Sequence, residues 1–176
     1  MSLLRVVRRK AYTAALLAFR GLPPVVRRFL VRMGTPGYTV GGVCAISHNG
    51  EVLFLRQPHR IGWSLPGGLL DRGETPAQGV VREIAEETGL VVELGEPVAT
   101  EVHPDVLRVD VVFRMELSHR PAVVVGGEAK AYRWMRPDQV PEVDDSTARI
   151  LEVLARPHDE ADQRGRLVST PDQPGR

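Results

Sequence analysis

With 176 residues, 43% of them hydrophobic and 26% charged, the chain has the size and composition of one globular domain with short appendages, which excludes a wholly disordered chain. Its single cysteine, Cys44, excludes a scaffold built on internal disulfides. The net charge of +1 conceals an uneven split, since residues 1–33 carry eight basic side chains and no acid, leaving 15 basic against 22 acidic residues beyond them; a nucleic-acid groove across the main domain is therefore not expected.

Residues 3–20 read as an amphipathic basic helix, with Leu4, Val7, Ala11, Ala14 and Ala18 at three- and four-residue intervals. Gly21 and the Pro23-Pro24 pair end it, and a second short helix over residues 25–32 carries Val26, Phe29 and Leu30 on its apolar side. The longest apolar run here, residues 14–19, falls far short of the roughly 20 residues that span a bilayer. Residues 20–24 offer no small-x-small cleavage site, so the expected location is the cytoplasm. Two readings of this arm, residues 1–36, stay open. It packs on the domain or on a second subunit of a homodimer, or its arginines attach it to an anionic lipid surface.

From residue 38 the period changes. Residues 38–47 and 51–57 read as two strands joined by His48-Asn49-Gly50, with Cys44 as a small buried hydrophobe in the first. Residues 63–68, Trp-Ser-Leu-Pro-Gly-Gly, read as a short strand running into a tight turn, preceded by a solvated loop at His59 and Arg60.

The next element has clear limits. Thr75 as N-cap, Pro76 at the first helical position and Gln78 closing a capping box start a helix that Gly89 ends, so the spacing predicts a helix over residues 76–88. At 100° per residue, Ala77, Val80, Val81, Ile84 and Thr88 share one side, while Arg82, Glu83, Glu86 and Glu87 share the other. Gly79 falls within the charged side and is expected to leave clearance there. Glu83, Glu86 and Glu87 stand at i, i+3 and i+4, where like charges cost a few tenths of a kcal/mol per pair, about 0.2–0.5. Two of them also lie in the last turn, where the helix dipole disfavours anions. A hard divalent cation held by carboxylate oxygens would relieve the conflict.

Strands are expected over residues 91–93, 98–103 and 107–117, the last alternating as a half-buried strand through Val109, Val111, Phe113, Met115 and Leu117. Residues 122–125 and 129–135 are further strand candidates, residues 137–140 a turn, and residues 145–155 a closing helix with Ala148, Ile150, Leu151 and Leu154 inward. Residues 157–176, poor in apolar side chains, read as a disordered tail.

The stretch over residues 68–90 places Gly68, Glu74, Arg82, Glu83, Ile84, Glu86, Glu87, Gly89 and Leu90 in the pattern G-x5-E-x7-R-E-I-x-E-E-x-G-L. It resembles the signature box of the Nudix hydrolases at every specified position. The likeness extends over residues 38–155, through Trp63, Leu65, Pro66, Gly67 and Gly68 before the box and a Glu-x5-Trp segment, Glu128 to Trp134, after it. The resemblance implies an α+β fold, an α/β/α sandwich with a mixed sheet over residues 37–156. It also implies hydrolysis of a nucleoside diphosphate linked to another moiety X, a small-molecule nucleotide substrate, with Mg²⁺ as cofactor and Mn²⁺ as its substitute. Glu83, Glu86 and Glu87 are then the candidate metal ligands, with Gly68 and Glu128 as further candidates and Glu74 acting through water. Arg82 orients a glutamate, and Glu128 or a box glutamate serves as general base. Gly67, Gly68 and Gly89 also give the backbone its turns.

The alternative is a Nudix-fold module that binds nucleotides without turning them over, although such modules usually lose box carboxylates and none is missing here. X is not legible in the box. Pro104, 14 residues beyond Leu90, stands near the place where ADP-ribose-type members carry a proline, but Pro97 and Pro104 also read as strand-edge punctuation. Tyr38, Trp63, Phe113, Tyr132 and Trp134 are candidates for stacking on a base, and each serves equally well as core.

Overall fold

The computed structural model describes residues 3–155 and 165–170 and divides into two units, Met1–Tyr38 and Thr39–Arg176. The first unit holds α1 (Leu3–Gly21) and α2 (Pro24–Gly34), with Leu22 N donating to Phe19 O at 3.2 Å where the first helix ends. In α2, Val25, Val26, Phe29, Leu30 and Met33 are all exposed on one side, with Arg27, Arg28 and Arg32 on the other.

The second unit is organised around a central strand that carries Gly41 and Gly42. Strands β1 (Thr39–His48) and β2 (Glu51–Arg56) form the expected hairpin, and the turn residues Asn49 and Gly50 take φ values of 50° and 78°. Both central residues in the left-handed region are what a two-residue hairpin loop requires to match strand twist. Among the described residues, β3 (Trp63–Ser64), β4 (Gly67–Leu69), β6 (Ala99–His103), β7 (Arg108–Glu116) and β8 (Ala131–Met135) complete a seven-stranded sheet with them. The path runs β3-β2-β1-β7-β6, with β4 pairing β1 and β8 pairing β2. The β1–β7 pair is parallel and the others antiparallel, so the sheet is mixed.

Alternation along β1 and β7 builds two cores. Cys44, Ile46, Val111, Phe113 and Met115 pack with Val80 and Ile84 of α3 (Pro76–Thr88) on one face. Val43, Ala45 and Val112 pack with Phe54, Leu65 and Ile150 of α4 (Asp145–Leu154) on the other. This is the expected α/β/α sandwich, and it corrects one expectation: β7 is buried on both sides, with Asp110 and Val112 as inaccessible as Phe113. A central strand shows no polar face because both of its faces are covered.

Two other expectations change. Residues 122–125 form no strand; Val124 N and Gly126 N donate instead to Thr88 O and Glu87 O, at 3.0 and 3.1 Å. Their N–H groups satisfy carbonyls that α3 leaves open at its end. The tail was expected to be disordered, but Arg166–Ser169 forms β9, paired antiparallel with β5 (Val91–Glu93), and Leu167 packs on the α3-side core. Residues 156–164 and 171–176 lie outside the described residues.

Helix α3 meets β1 at a close approach that places everything on its opposite side. A Cβ on Gly42 would overlap Val80 Cγ2, so the glycine lets the helix seat against the strand. Gly42→Ala is expected to destabilise the protein by about 1–3 kcal/mol through overpacking. Removing the obstructing methyls with Val80→Ala should cut the cost of Gly42→Ala by at least about 1 kcal/mol in a double-mutant cycle, read by urea denaturation. Simple additivity would show that the contact does not set the helix position.

Candidate active site

The capping arrangement of α3 is as the sequence predicts. Gln78 N donates to Thr75 Oγ1 at 3.4 Å, Thr75 N donates to Gln78 Oε1 at 2.9 Å, and Gly89 ends the helix at φ 69° with its N–H on Ala85 O at 2.9 Å. Fixed at both ends and seated on Gly42, the helix turns its charged edge toward a cavity of about 710 Å³. Glu83, Glu86 and Glu87 reach that cavity together with Gly68 and Glu128.

The three helix carboxylates are not equivalent. Glu83 is half-buried and accepts from Arg82 Nη1 at 2.8 Å, while Glu86 stands 3.6 Å from the same nitrogen and is more than half exposed. Glu87 is 3% exposed. Its Oε2 accepts from Gly67 N at 3.0 Å, and its Oε1 accepts from Gln57 Nε2. Burial pushes its pKa up from 4.5 to about 7; the Gly67 N–H and Arg60 oppose the shift, and the charges of Glu83 and Glu128 add to it. The repulsion legible in the helix spacing is thus answered by Arg82 at two positions and concentrated at the third.

Arg82 is a clamp. It spends Nε on Glu74 Oε1 at 2.9 Å, Nη2 on Glu74 Oε2 at 3.1 Å and on Leu69 O at 3.2 Å, and Nη1 on Glu83. These bonds hold its guanidinium charged well beyond the ordinary arginine range and lower the pKa of Glu74. Glu74 also accepts from Asp71 N at 2.8 Å, so it anchors Arg82 and the loop before α3. Gly79 serves this loop too. A Cβ there would lie 3.2 Å from both Leu70 Cγ and Glu74 Oε2, so the clearance expected for an approaching ion is filled by the protein itself.

Glu128 arrives from the opposite wall. Gly126 and Gly127 press against the backbone of Glu86, where a Cβ on Gly126 would sit 2.6 Å from Glu86 O, and Gly127 takes φ 54°. Only glycine adopts this approach without strain. The turn brings Glu128 Oε2 to 3.2 Å from His59 Nδ1. His59 and Arg60, read from the sequence as solvated loop, both line the cavity, and Arg60 Nε lies 3.2 Å from Asp144 Oδ2. Asp144 caps α4 through Thr147 N at 2.7 Å, so the same carboxylate fixes a helix start and a cavity arginine. Arg108, at the start of β7, is a further lining residue that sequence reasoning misses.

The aromatic candidates resolve differently. Trp63 and Phe113 are core, and Trp134 is part-buried against it beneath Arg120. Tyr132 is exposed, and none of these four lines the cavity; its apolar lining comes from Ile61 and Leu69, both well exposed. Tyr38 belongs to the N-terminal unit. Pro104 lies in the β6–β7 turn, its carbonyl accepting from Leu107 N at 3.4 Å.

By donor chemistry the site fits a hard divalent cation: several carboxylates border one cavity, and a buried glutamate there bears a burial penalty to which neighbouring acids add. Among the described residues, no three His, Cys, Asp or Glu side chains yet converge as a ready cage. Glu83 is turned to Arg82, and Glu87 to Gly67 and Gln57.

Comparison with known proteins agrees with this arrangement. A family model described as the NUDIX domain matches residues 35–156. A MutT-like protein of Streptomyces ambofaciens is 37% identical over 126 residues, covering 68% of this chain and 79% of its own length. The crystal structure of a MutT NUDIX hydrolase from Burkholderia pseudomallei superposes with a TM-score of 0.58 at 26% identity, covering 66% of this chain and 97% of that one. At the level of fold alone, a bifunctional NMN adenylyltransferase/ADP ribose pyrophosphatase from Francisella tularensis, complexed with AMP and a Mn ion, gives a TM-score of 0.59 at 18% identity, over 82% of this chain and 46% of that one. A box that folds into the capped helix flooring the cavity, inside a domain matched along its length, leaves one assignment: this chain belongs to the Nudix hydrolase family.

Proposed function

We propose that the protein is a Mg²⁺-dependent pyrophosphohydrolase that cleaves the diphosphate of a nucleoside diphosphate linked to X, of the nucleotide-sugar, ADP-ribose or nucleoside triphosphate type. Water adds to one phosphorus, the P–O–P bridge breaks, and nucleoside monophosphate and phospho-X leave. The observation that carries this reading is the placement of Glu83, Glu86 and Glu87 along one wall of a cavity of about 710 Å³ with Glu128 on another. That volume lies in the range of about 300–1,000 Å³ that small-molecule sites occupy.

Glu83, Glu86 and Glu87, with the Gly68 carbonyl and Glu128, are the groups that would hold the metal. When bound, Mg²⁺ or Mn²⁺ supplies positive charge where negative charge develops on the phosphoryl oxygens. The Mn ion in the Francisella tularensis relative is consistent with either metal. The chain's own residues do the rest. Arg82, anchored by Glu74 and Leu69, keeps the Glu83 carboxylate turned to the cavity edge. Glu128 takes the proton of the attacking water, and His59 fixes the orientation of its carboxylate. Glu87, whose pKa burial raises to about 7, would have to lose its proton to ligate a cation, which would link metal uptake to pH.

Product analysis against a panel of nucleoside diphosphate derivatives tests the reading. Mg²⁺-dependent release of nucleoside monophosphate is expected, abolished by EDTA and restored by Mg²⁺ or Mn²⁺; nucleotide binding without turnover would replace it with a binding module. Glu86→Gln should lower kcat at least about 100-fold while changing stability by no more than about 0.5 kcal/mol, because Glu86 is exposed. Glu128→Gln should lower kcat more than about tenfold, and a smaller loss removes Glu128 from the proton transfer.

Glu87 gives a test independent of turnover. Its folded pKa of about 7 exceeds its ordinary 4.5, so the folded state holds the proton to higher pH. The stability this lends is fully present below pH 4.5 and is lost as pH rises through 7. In EDTA, unfolding free energy should therefore fall by on the order of 2 kcal/mol between pH 5 and 8 from this group. Glu87→Gln should flatten that slope and stabilise the metal-free protein at pH 8, and an unchanged slope would show that the carboxyl is ionised throughout.

A further inference from the structure

Arg108 is a cavity cation that the chemistry above does not use. Arg108 lines the cavity with its side chain a quarter exposed, while its partner Asp110 is fully buried. Arg108 Nε donates to both oxygens of Asp110 at 2.8 and 2.9 Å, and Nη2 lies 2.7 Å from Oδ1. These contacts occupy one edge of the guanidinium. Nη1 has no hydrogen-bond or ion-pair partner among the described residues.

The backbone makes room for this pair. A Cβ on Gly41 would lie 2.6 Å from Asp110 Oδ1, 2.8 Å from Arg108 Nη2 and 3.1 Å from Gly68 O. All three atoms crowd one point, which puts Nη2 within about 6 Å of Gly68 O, the carbonyl proposed above as a metal ligand. On the other side of Asp110, buried His103 brings Nε2 to 3.5 Å from Oδ2 and has no hydrogen bond of its own there.

A buried arginine–carboxylate pair is a poor device for stability, since apolar packing of the same volume commonly does as well. It is a good device for holding a guanidinium still. A fixed fork with an open edge matches phosphate oxygens, and less side-chain freedom is lost when they bind. The other cavity arginines are already answered by acids: Arg82 commits all three of its nitrogens, and Arg60 faces Asp144 and the charge of Glu87.

We propose that Arg108 is a phosphate-binding residue for the substrate's diphosphate beside Gly68, with Asp110, Gly41 and His103 as its positioning residues. The proposal rests on reading the cavity as a diphosphate site. His103 supplies Asp110 with a second donor when Arg108 shares its charge with substrate. Since the open edge meets an oxygen that carries charge before and during reaction, its loss should raise KM more than it lowers kcat.

The test is calorimetric titration of the full chain, in Mg²⁺, with methylenediphosphonate, a non-hydrolysable diphosphate without base or sugar, alongside Mg²⁺ titrated alone. Arg108→Lys keeps a charge against Asp110 but has no fork; it should weaken diphosphonate binding about tenfold, and Arg108→Gln further, with Mg²⁺ affinity within about twofold of wild type. On the most active panel substrate, Asp110→Asn should raise KM about tenfold with kcat within about threefold, a split that loss of folded protein alone does not produce. Wild-type-like diphosphonate binding by both Arg108 variants, with a lowered unfolding midpoint, would make Arg108 only the counter-ion of Asp110 and overturn the proposal. Failure of the wild-type protein itself to bind diphosphonate would overturn the diphosphate reading of the cavity, and this site with it.

Discussion

A carboxylate near the C-terminal end of its own helix is disfavoured by the helix dipole, and one removed from water is disfavoured again. Glu87 carries both penalties, at 3% exposure. What keeps it there is a small set of donors brought from distant parts of the chain: the Gly67 N–H from the strand before the helix and the Gln57 amide from the end of β2. Gly67 can present that N–H only because it takes φ 139° and lies against Gly42 and Val43 of β1 without a side chain. The site therefore depends on backbone packed too closely for any other residue. Gly42 seats the helix, Gly67 reaches the carboxylate, and Gly68 leaves space that a Cβ would contest with Glu83 Oε1 at 2.5 Å.

Around this constraint the charges are graded. Glu74 is deeply satisfied by Arg82 and Asp71 N–H, Glu83 shares the same arginine, Glu86 is largely in water, and Glu87 is dry. Arg82 thus ties down Glu74 and Glu83, while Glu87, which it does not touch, is set apart by burial. That gradient matters more than the count of acids, because a proton is readily exchanged near neutrality only by the group whose surroundings penalise its charge. It also explains how the charged edge of α3 avoids being a liability to folding: much of its repulsion is offset by Arg82, one position from Glu83 and four from Glu86.

How much of this could be read in advance depended on the distance over which each feature is determined. The limits of α3 were legible because the capping box of Thr75 and Gln78 and the left-handed Gly89 are local, and its two faces were legible because helical period is local. The β1–β2 hairpin followed from Asn49-Gly50 for the same reason. The box carboxylates were legible as a group, but not their inequality, which arises from Gly67 and Gln57. His59 and Arg60 read as solvated loop rather than as ligands, and Arg108 carried no signal at all. Arg108 enters the cavity only because β7 lies parallel to β1 and in register with it, Thr39 facing Arg108 across the pair. Residues 122–125 look like a strand by composition, but their N–H groups go to the end of α3. The strand Arg166–Ser169 was hidden because a four-residue segment with one half-buried face has almost no pattern of its own.

The same separation divides reaction from specificity. The acids that would hold the metal lie mainly on one rigid helix whose position is set by glycine contacts, so any change in its tilt would disturb every ligand together. The rest of the cavity is built from separate pieces: the segment carrying His59, Arg60 and Ile61, the residues Leu69 and Asp71 before the helix, Arg108 on β7, the Gly127-Glu128 turn and Asp144 at the start of α4. Leu69 and Arg108 are held by the ladders that pair β4 and β7 with β1, and the other pieces by loops and side chains. Substitutions among them can reshape the walls while leaving Gly42, Gly67 and the capped helix untouched. On the proposed reading, the identity of X would be encoded in these walls, which is why a complete box names a reaction class and leaves its substrate to be read from residues such as Ile61 and Leu69.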